Sequence, residues 1–422
     1  MSLKINGKRI REARIFNKMT MTELAENIGV TKQMISKYEH NQSNISLESL
    51  QKIIRTLNFP MNFFLETDRV IYENKGTFYR SRLTSTQAEK QPSETYKKLA
   101  AMLRDYFEDY IDFPELDMLD NDCLDNILPE QAAVELRNKW GLGSGPINSM
   151  VELMERHGIV VVNINLGSDK VDARSGYVKV NNKLYYIVLN VIDNTNFYRE
   201  QFTLAHELGH YIMHANKVNP QDLSNDEYRT MENEANQFAS AFLLPKDVFK
   251  NCKVQRNYGN LLEYIPLKRE WNMSIAAIVM RAFELRVINL DQFKKLQKSI
   301  SYRGWRKKEI GDEFKQITFP TLLHDAFRLL EEHSEVKARD LAYKLNEKYG
   351  YYYPNKLIAE TLNIRLDEFR GETIPLAIKK KWIIWLNSIN KSKLKREVYS
   401  KVYRLITCIQ LNIRIKEGND NK

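Results

Sequence analysis

Cysteine is scarce in this chain: three in 422 residues, at Cys123, Cys252 and Cys408, with no two in the C-x-x-C spacing that zinc and redox sites use. They are read as free thiols. Long hydrophobic runs are absent as well. The longest, such as Ile159–Val162, fall far short of the roughly 20 apolar residues that a bilayer span requires, so no membrane segment is expected. Met1-Ser2-Leu3-Lys4 leads into no continuous apolar stretch, so no secretory signal is read and the cytoplasm is the expected compartment.

What the chain does have is a soluble composition, 43% hydrophobic and 28% charged, and a length that implies two to four units, each able to bury a core. Its formal net charge of +10 is unevenly placed. Ten Lys and Arg against five Asp and Glu give residues 1–65 a balance of about +5, and twelve against three give residues 379–422 about +9. Basic ends around a mildly acidic centre point to contact with a polyanion at the ends and different work between them, with solvated basic helix faces as the alternative.

Residues 1–65 read as four short helices, Gly7–Asn17, Thr22–Ile28, Thr31–His40 and Ser46–Leu57. Thr20 or Met21 precedes the second, Gly29 ends it as a C-terminal glycine, and Thr31 is placed to cap the third. Leu24, Ala25, Ile28, Val30 and Ile35 then converge on a small core. Two helices joined by Gly29-Val30 describe a helix-turn-helix whose second helix would lie in a DNA major groove. Through Thr22–Ala25, Gly29-Val30 and Thr31–Glu39 the stretch resembles the phage-repressor-like helix-turn-helix family. That resemblance implies double-stranded DNA as a partner and a base-reading third helix with Lys32, Gln33, Ser36 and Lys37 as its exposed positions. Gln33 suits a bidentate bond to adenine, while Lys37 and the Thr22 hydroxyl suit phosphates. It also implies paired half-sites and hence a homodimer. Tyr38 and Glu39 read as structural, and a helix-turn-helix that only dimerises or binds protein is the alternative.

Residues 66–128 read as a helical connector: a helix over Thr84–Tyr110 with Leu99, Leu103, Phe107 and Ile111 on one side, then an acidic loop from Asp112 to Leu128. Residues 129–300 form the next unit, opening with helices over Pro129–Trp140 and Ile147–His157. Strands follow at Ile159–Ile164, Ser175–Val180 and Leu184–Asn190, the last two joined at Asn181-Asn182, a hairpin signal. Helices are expected over Phe197–Ala215 and Glu227–Phe242, the latter stopped by Leu244-Pro245. Residues 246–300 read as largely helical, and 301–422 as a helical, basic C-terminal region. The fold class is therefore mainly α with a small β-sheet, an α+β central domain between an all-α N-terminal domain and a helical C-terminal one.

His206-Glu207-Leu208-Gly209-His210 lies inside the first of those two later helices. Positions i and i+4 share a helix face, so both imidazoles reach one metal ion while Glu207 stands beside the water that the ion activates. The pattern points to peptide-bond hydrolysis, with Glu207 moving the water proton to the leaving amine. Catalytic zinc takes three protein ligands plus water, so a third is required. His214 lies eight residues past His206, about 12 Å along the helix axis and too far to share the ion. An H-E-x-x-H-x-x-G-x-x-H site would need glycine at 213 and histidine at 216, where Met213 and Asn216 stand. Glu232 on the following helix is preferred, because Asn236 four residues on shares its face and can orient a histidine from behind. Glu234, about 160° round that helix, is the other carboxylate available.

Arg199–Ala205 ahead of the motif, His214 after it, Glu232–Ala239 and Leu243-Leu244-Pro245 resemble the ImmA/IrrE family of metallopeptidases. So do Trp140–Gly143, Pro146-Ile147, His157–Ile159 and Gly304-Trp305-Arg306. The resemblance implies a metal helix like that of thermolysin-like zinc enzymes, with one Zn2+ per chain held by His206, His210 and Glu232. It further implies Glu207 as general acid and base, Asn236 in support, and regulatory proteolysis of a protein such as a transcriptional repressor. Tyr198, Tyr211 and His214 are candidates by type for stabilising the oxyanion, each better suited to packing or structural hydrogen bonds.

Near the C-terminus Lys379-Lys380-Lys381 and Lys391–Arg396 interleave with Trp382, Trp385, Tyr399 and Tyr403. A cationic amphipathic helical end with buried aromatics is favoured there over nucleic-acid contact. The whole reads as a cytoplasmic DNA-binding transcriptional regulator that is also a zinc metalloendopeptidase. The alternatives are a non-catalytic transcription factor, or an antitoxin or phage-resistance component, with the peptidase fold serving as a sensor or interaction module.

Overall fold

The computed structural model describes residues 5–65, 69–70, 72–79, 87–119, 127–165, 173–193, 195–214, 223–251 and 257–369. The basic clusters from Lys379 onward lie outside these described residues. Five helices open the chain: α1 (Gly7–Phe16), α2 (Met21–Ile28), α3 (Lys32–Glu39), α4 (Leu47–Leu57) and α5 (Met61–Leu65). Local chemistry sets their ends. Thr20 and Glu23 form a capping box at the start of α2, and Gly29 closes it at φ 77°, a left-handed turn that costs glycine no steric strain. Thr31 and Ser46 cap α3 and α4 by accepting from the N–H groups of Met34 and Ser49. Leu24, Ala25, Ile28 and Ile35 are buried between these helices. Glu39 is buried as well and takes a bidentate bond from Arg14 at 2.6 and 2.9 Å, a structural ion pair.

The next elements are β1 (Tyr72–Tyr79), α6 (Gln87–Phe107), α7 (Pro129–Lys139), α8 (Met150–Arg156), β2 (Val160–Ile164), β3 (Ala173–Val180) and β4 (Lys183–Val191). Then come α9 (Phe197–His214), α10 (Asn225–Leu243), α11 (Lys246–Asn251), α12 (Tyr264–Trp271), α13 (Ile275–Glu284), α14 (Leu290–Tyr302), α15 (Leu322–Glu332), α16 (Ala338–Tyr349) and α17 (Asn355–Leu362). The strands form one sheet in the order β1-β3-β4-β2. β3 and β4 are a hairpin turning at Asn181-Asn182, with Asn181 at φ 53°, while β2 runs parallel to β4.

This sheet is a wall between two cores. Val160, Val162, Val178, Val180, Ile187 and Leu189 face a core shared with α1–α6 and α15–α17. Val161, Tyr177, Tyr186 and Val188 face a second core built with α7–α10 and α12–α14. Alternate strand residues serve opposite cores because successive side chains point to opposite faces.

The segment read as a helical connector departs from expectation in two ways. It contributes β1, which pairs antiparallel with β3, and α6 is buried on every side from Thr95 to Phe107 instead of along one stripe. Lys97, Lys98, Arg104 and Asp105 of α6 disguise its depth, because each finds a partner, Glu94 for Lys97 and the Tyr351 hydroxyl for Lys98. Arg104 pairs with Glu108 at 2.9 Å and stacks 3.7 Å from the Phe113 ring, and Asp105 accepts from the hydroxyls of Tyr185 at 3.0 Å and Tyr349 at 2.6 Å. Arg9 of α1 is similarly sunk, only 1% exposed, 3.0 Å from the Tyr351 ring centroid and donating to the Gly350 carbonyl at 2.8 Å. No helix among the described residues is long and apolar enough to cross a membrane.

Candidate metal centre and nucleic-acid interface

The sequence of α9 buries almost all of its side chains, so its polar groups must be satisfied within the protein. Ahead of the motif, Glu200 accepts from Asn190 Nδ2 on β4 and from the Thr318 N–H, both at 2.9 Å, and Gln201 accepts from the Met150 N–H at 2.8 Å. These bonds fix the rotation of α9 about its axis. Burial pushes the Glu200 carboxyl up to about 7, against the opposing pull of those donors.

One turn on, His206, Glu207 and His210 are 2%, 2% and 1% exposed. The two imidazole Nε2 atoms lie 3.0 Å apart with rings nearly perpendicular, at 87°. From α10, which opens on a Ser224–Glu227 capping box, Glu232 brings Oε2 to 3.4 Å from His206 Nε2 and Oε1 to 3.4 Å from His210 Nε2. Burial alone would raise the Glu232 pKa, but bonds to and charge on His206 and His210 outweigh it and hold the carboxylate well below its usual range. Two ring nitrogens this close, facing one carboxylate, call for a cation among them. Ligand atoms about 2.0–2.1 Å from a tetrahedral ion stand about 3.3 Å from each other, and one ligand atom from each of the three residues lies within 4.8 Å of the others, with a separate carboxylate oxygen 3.4 Å from each histidine. The residues therefore fit a divalent metal of the zinc type; among the described residues, His206, His210 and Glu232 are the group with that convergence.

Glu234 faces elsewhere, with Oε2 3.7 Å from His214 Nε2. His214 stays outside the triangle, its pKa pushed down to about 3 by burial and then by the neighbouring His210 charge. Asn236, expected to orient a histidine, makes no hydrogen bond to one. It lies instead on the wall of a groove of about 730 Å³ with Thr203, Asn233, Gln237, Trp305 and Arg306, because the partly exposed flank of α10 turns that way. Of the tyrosines considered for the oxyanion, Tyr198 packs against Phe197 and lies 4.4 Å beneath the Lys268 amine. Tyr211 is stacked edge-on against Tyr186 at 4.2 Å.

Three contributors escaped the sequence reading. Ser175 on β3 donates its hydroxyl to Glu207 Oε2, fixing the carboxylate from the sheet side. Tyr186 on β4 donates to the Glu207 carbonyl at 3.2 Å, and its own pKa is driven up by burial and then by the Glu207 charge. Gly209 lets the two helices touch: a Cβ there would meet Phe238 Cδ1 at 3.0 Å and the Ala235 carbonyl oxygen at 3.1 Å. Without that close approach Glu232 would stand back from the histidines. Of the three, only the glycine leaves a trace in sequence, as a poor helix former inside a helix.

In the N-terminal helices, α3 packs through Ile35, Tyr38 and Glu39 and turns Lys32, Gln33 and Lys37 to solvent, with Ser36 half-buried. Thr22 is exposed on the first turn of α2. The Thr31 cap and the left-handed turn at Gly29 set the angle at which α3 presents this polar face.

Residues 154–283 match the peptidase family described as the IrrE N-terminal-like domain, and residues 10–64 match the helix-turn-helix family. The chain is similar to an uncharacterized HTH-type transcriptional regulator of Sinorhizobium medicae (strain WSM419), 40% identical over 60 residues, 14% of this chain and 43% of that protein. Regulator R00410 of Rhizobium meliloti (strain 1021) gives the same figures. Regulator y4wC of Sinorhizobium fredii (strain NBRC 101917 / NGR234) is 38% identical over 60 residues, 14% of this chain and 42% of its own. The chain thus spans less than half the length of these curated relatives.

Proposed function

From a chain that joins an N-terminal helix-turn-helix domain to an IrrE N-terminal-like peptidase domain, we propose a DNA-binding transcriptional regulator that is also a zinc-dependent endopeptidase. Its substrate is a regulatory protein such as a transcriptional repressor. The convergence of His206, His210 and Glu232 beside buried Glu207 carries this reading. Two imidazoles and one carboxylate are a donor set that suits a single Zn2+ and leaves room for water. When bound, that ion lowers the pKa of water and polarises the scissile carbonyl.

The chain's own residues do the rest. Glu207 takes the proton of the attacking water as the new C–O bond forms and then delivers it to the amine nitrogen, so that the peptide C–N bond breaks and the carbonyl is restored as a carboxyl group. The Ser175 hydroxyl holds the Glu207 carboxylate in one rotamer, and Tyr186 anchors the same residue through its carbonyl. Burial keeps bulk water from competing for that proton.

On the DNA side, Gln33 reads a base, Lys32 and Ser36 flank it, and Lys37 with the Thr22 hydroxyl grips phosphates. A homodimer places two such helices on paired half-sites, and work on DNA fits a cytoplasmic setting. The test is Glu207→Gln. Cleavage of a candidate repressor should fall by at least ~100-fold while zinc content and operator affinity stay unchanged; undiminished cleavage overturns the assignment.

A further inference from the structure

Among the described residues β1 is the outer strand of the sheet and pairs with β3 alone. Ser175, whose hydroxyl holds Glu207, pairs with Phe78 of β1 on one side and with Val188 of β4 on the other. The β1 backbone therefore runs one strand spacing, about 4.8 Å, from the residue that fixes the proposed acid-base carboxylate. Its pairing is irregular at that point. Lys75 pairs with Tyr177 and Phe78 with Ser175, so β1 takes three steps where β3 takes two, a bulge opposite Gly176.

Extended peptides bind by adding a strand to a sheet edge, with main-chain hydrogen bonds for affinity and pockets for selectivity. The strand edge nearest Glu207 is the outer edge of β3, and β1 fills it. A peptide added outside β1 would lie a further strand spacing away, about 10 Å from Ser175. We propose that β1 is a built-in competitor for the peptide substrate: it holds the outer edge of β3, and the segment to be cut pairs with β3 only when β1 leaves. The bulge makes this exchange feasible, because the ladder is interrupted where the incoming peptide must register. β1 also begins seven residues after α5 ends, so the competitor is the strand that leads out of the DNA-binding helices. Just ahead of it, the Arg69 N–H bonds the Tyr349 carbonyl at 3.0 Å, tying the same stretch to the end of α16. The inference rests on the peptidase reading for the meaning of Glu207, and its test separates the two.

The full chain is used, with its three cysteines replaced by serine, and a fluorescein-labelled peptide of the Tyr72–Tyr79 sequence is the probe, followed by anisotropy. Thr77→Pro with Phe78→Pro weakens β1 and should tighten probe binding at least tenfold. Glu73→Cys with Lys179→Cys, a directly paired position, allows a disulfide that locks β1 on β3. The oxidised protein should bind the probe at least tenfold more weakly than the same protein after reduction. Probe affinity unchanged by both devices, or no binding to any form, overturns the proposal. If Glu207-dependent cleavage of a candidate repressor persists in that case, the peptidase reading stands and β1 is only structural. If probe binding responds as expected and no cleavage depends on Glu207, the docking edge stands and the peptidase reading falls.

Discussion

α3 turns Lys32, Gln33 and Lys37 outward and rests on Ile35, Tyr38 and Glu39, whereas α9 buries every side chain except Arg199, Phe202 and Tyr211. The polar residues that the first helix exposes carry little of the fold, because its packing is made by the opposite face. The second works by enclosing polar groups, so the residues proposed for chemistry are also residues the core must satisfy. Substitutions in α3 should therefore be clean, and substitutions in α9 or in the helix against it should couple site and scaffold.

Three substitutions test that contrast, beginning with the largest effect. Glu232→Ala removes one corner of the His206-His210-Glu232 triangle, and zinc affinity should fall by more than ~100-fold, leaving dialysed protein with no bound metal by elemental analysis. Operator binding should not change; a retained zinc stoichiometry of one would remove Glu232 from the site. Gln33→Ala should weaken binding to the cognate operator by about 1–3 kcal/mol, roughly 5- to 150-fold, while relaxing preference at one base pair and leaving zinc content intact. A uniform loss across unrelated DNA would make Gln33 a backbone contact instead. Gly209→Ala is the smallest and sharpest. Alanine gains about 1 kcal/mol of helix propensity, which offsets the push of its Cβ against Phe238 and Ala235, so the thermal midpoint should move by only a few degrees. Zinc affinity should nonetheless drop about tenfold as α10 gives way, and an unchanged affinity would mean that the approach at Gly209 does not position Glu232.

The helix-turn-helix was legible because its signals are local: Thr20, Gly29 and Thr31 mark helix ends by bonds to their own neighbours, and Leu24, Ile28 and Ile35 fall on one face. The hairpin over β3 and β4 was legible for the same reason, through Asn181-Asn182 between apolar runs. β1 was not. Tyr72-Glu73-Asn74-Lys75-Gly76-Thr77-Phe78-Tyr79 has no alternation of apolar residues and carries a glycine, as an outer strand with one neighbour can. α6 was misjudged because its lysines, arginine and aspartate look solvent-facing until their distant partners, Tyr185, Tyr349 and Phe113 among them, are in place. At the candidate metal centre, spacing brought out His206, Glu207, His210 and Glu232. Ser175 and Tyr186 meet Glu207 only through the sheet, at separations no periodicity encodes. Asn236 shows the limit from the other direction, since a shared helix face does not dictate which neighbour a side chain meets.

Arg9 bears on the order in which this protein comes into being. Its guanidinium is enclosed by Tyr351 and the Gly350 carbonyl, groups that a ribosome supplies some 340 residues after it has made α1. The N-terminal helices can therefore form early in synthesis but cannot reach their final packing until most of the chain, the candidate metal centre included, has emerged. A fragment that stops short of Gly350 lacks the carbonyl and the ring that enclose the Arg9 guanidinium, so α1 would meet solvent where the whole chain covers it.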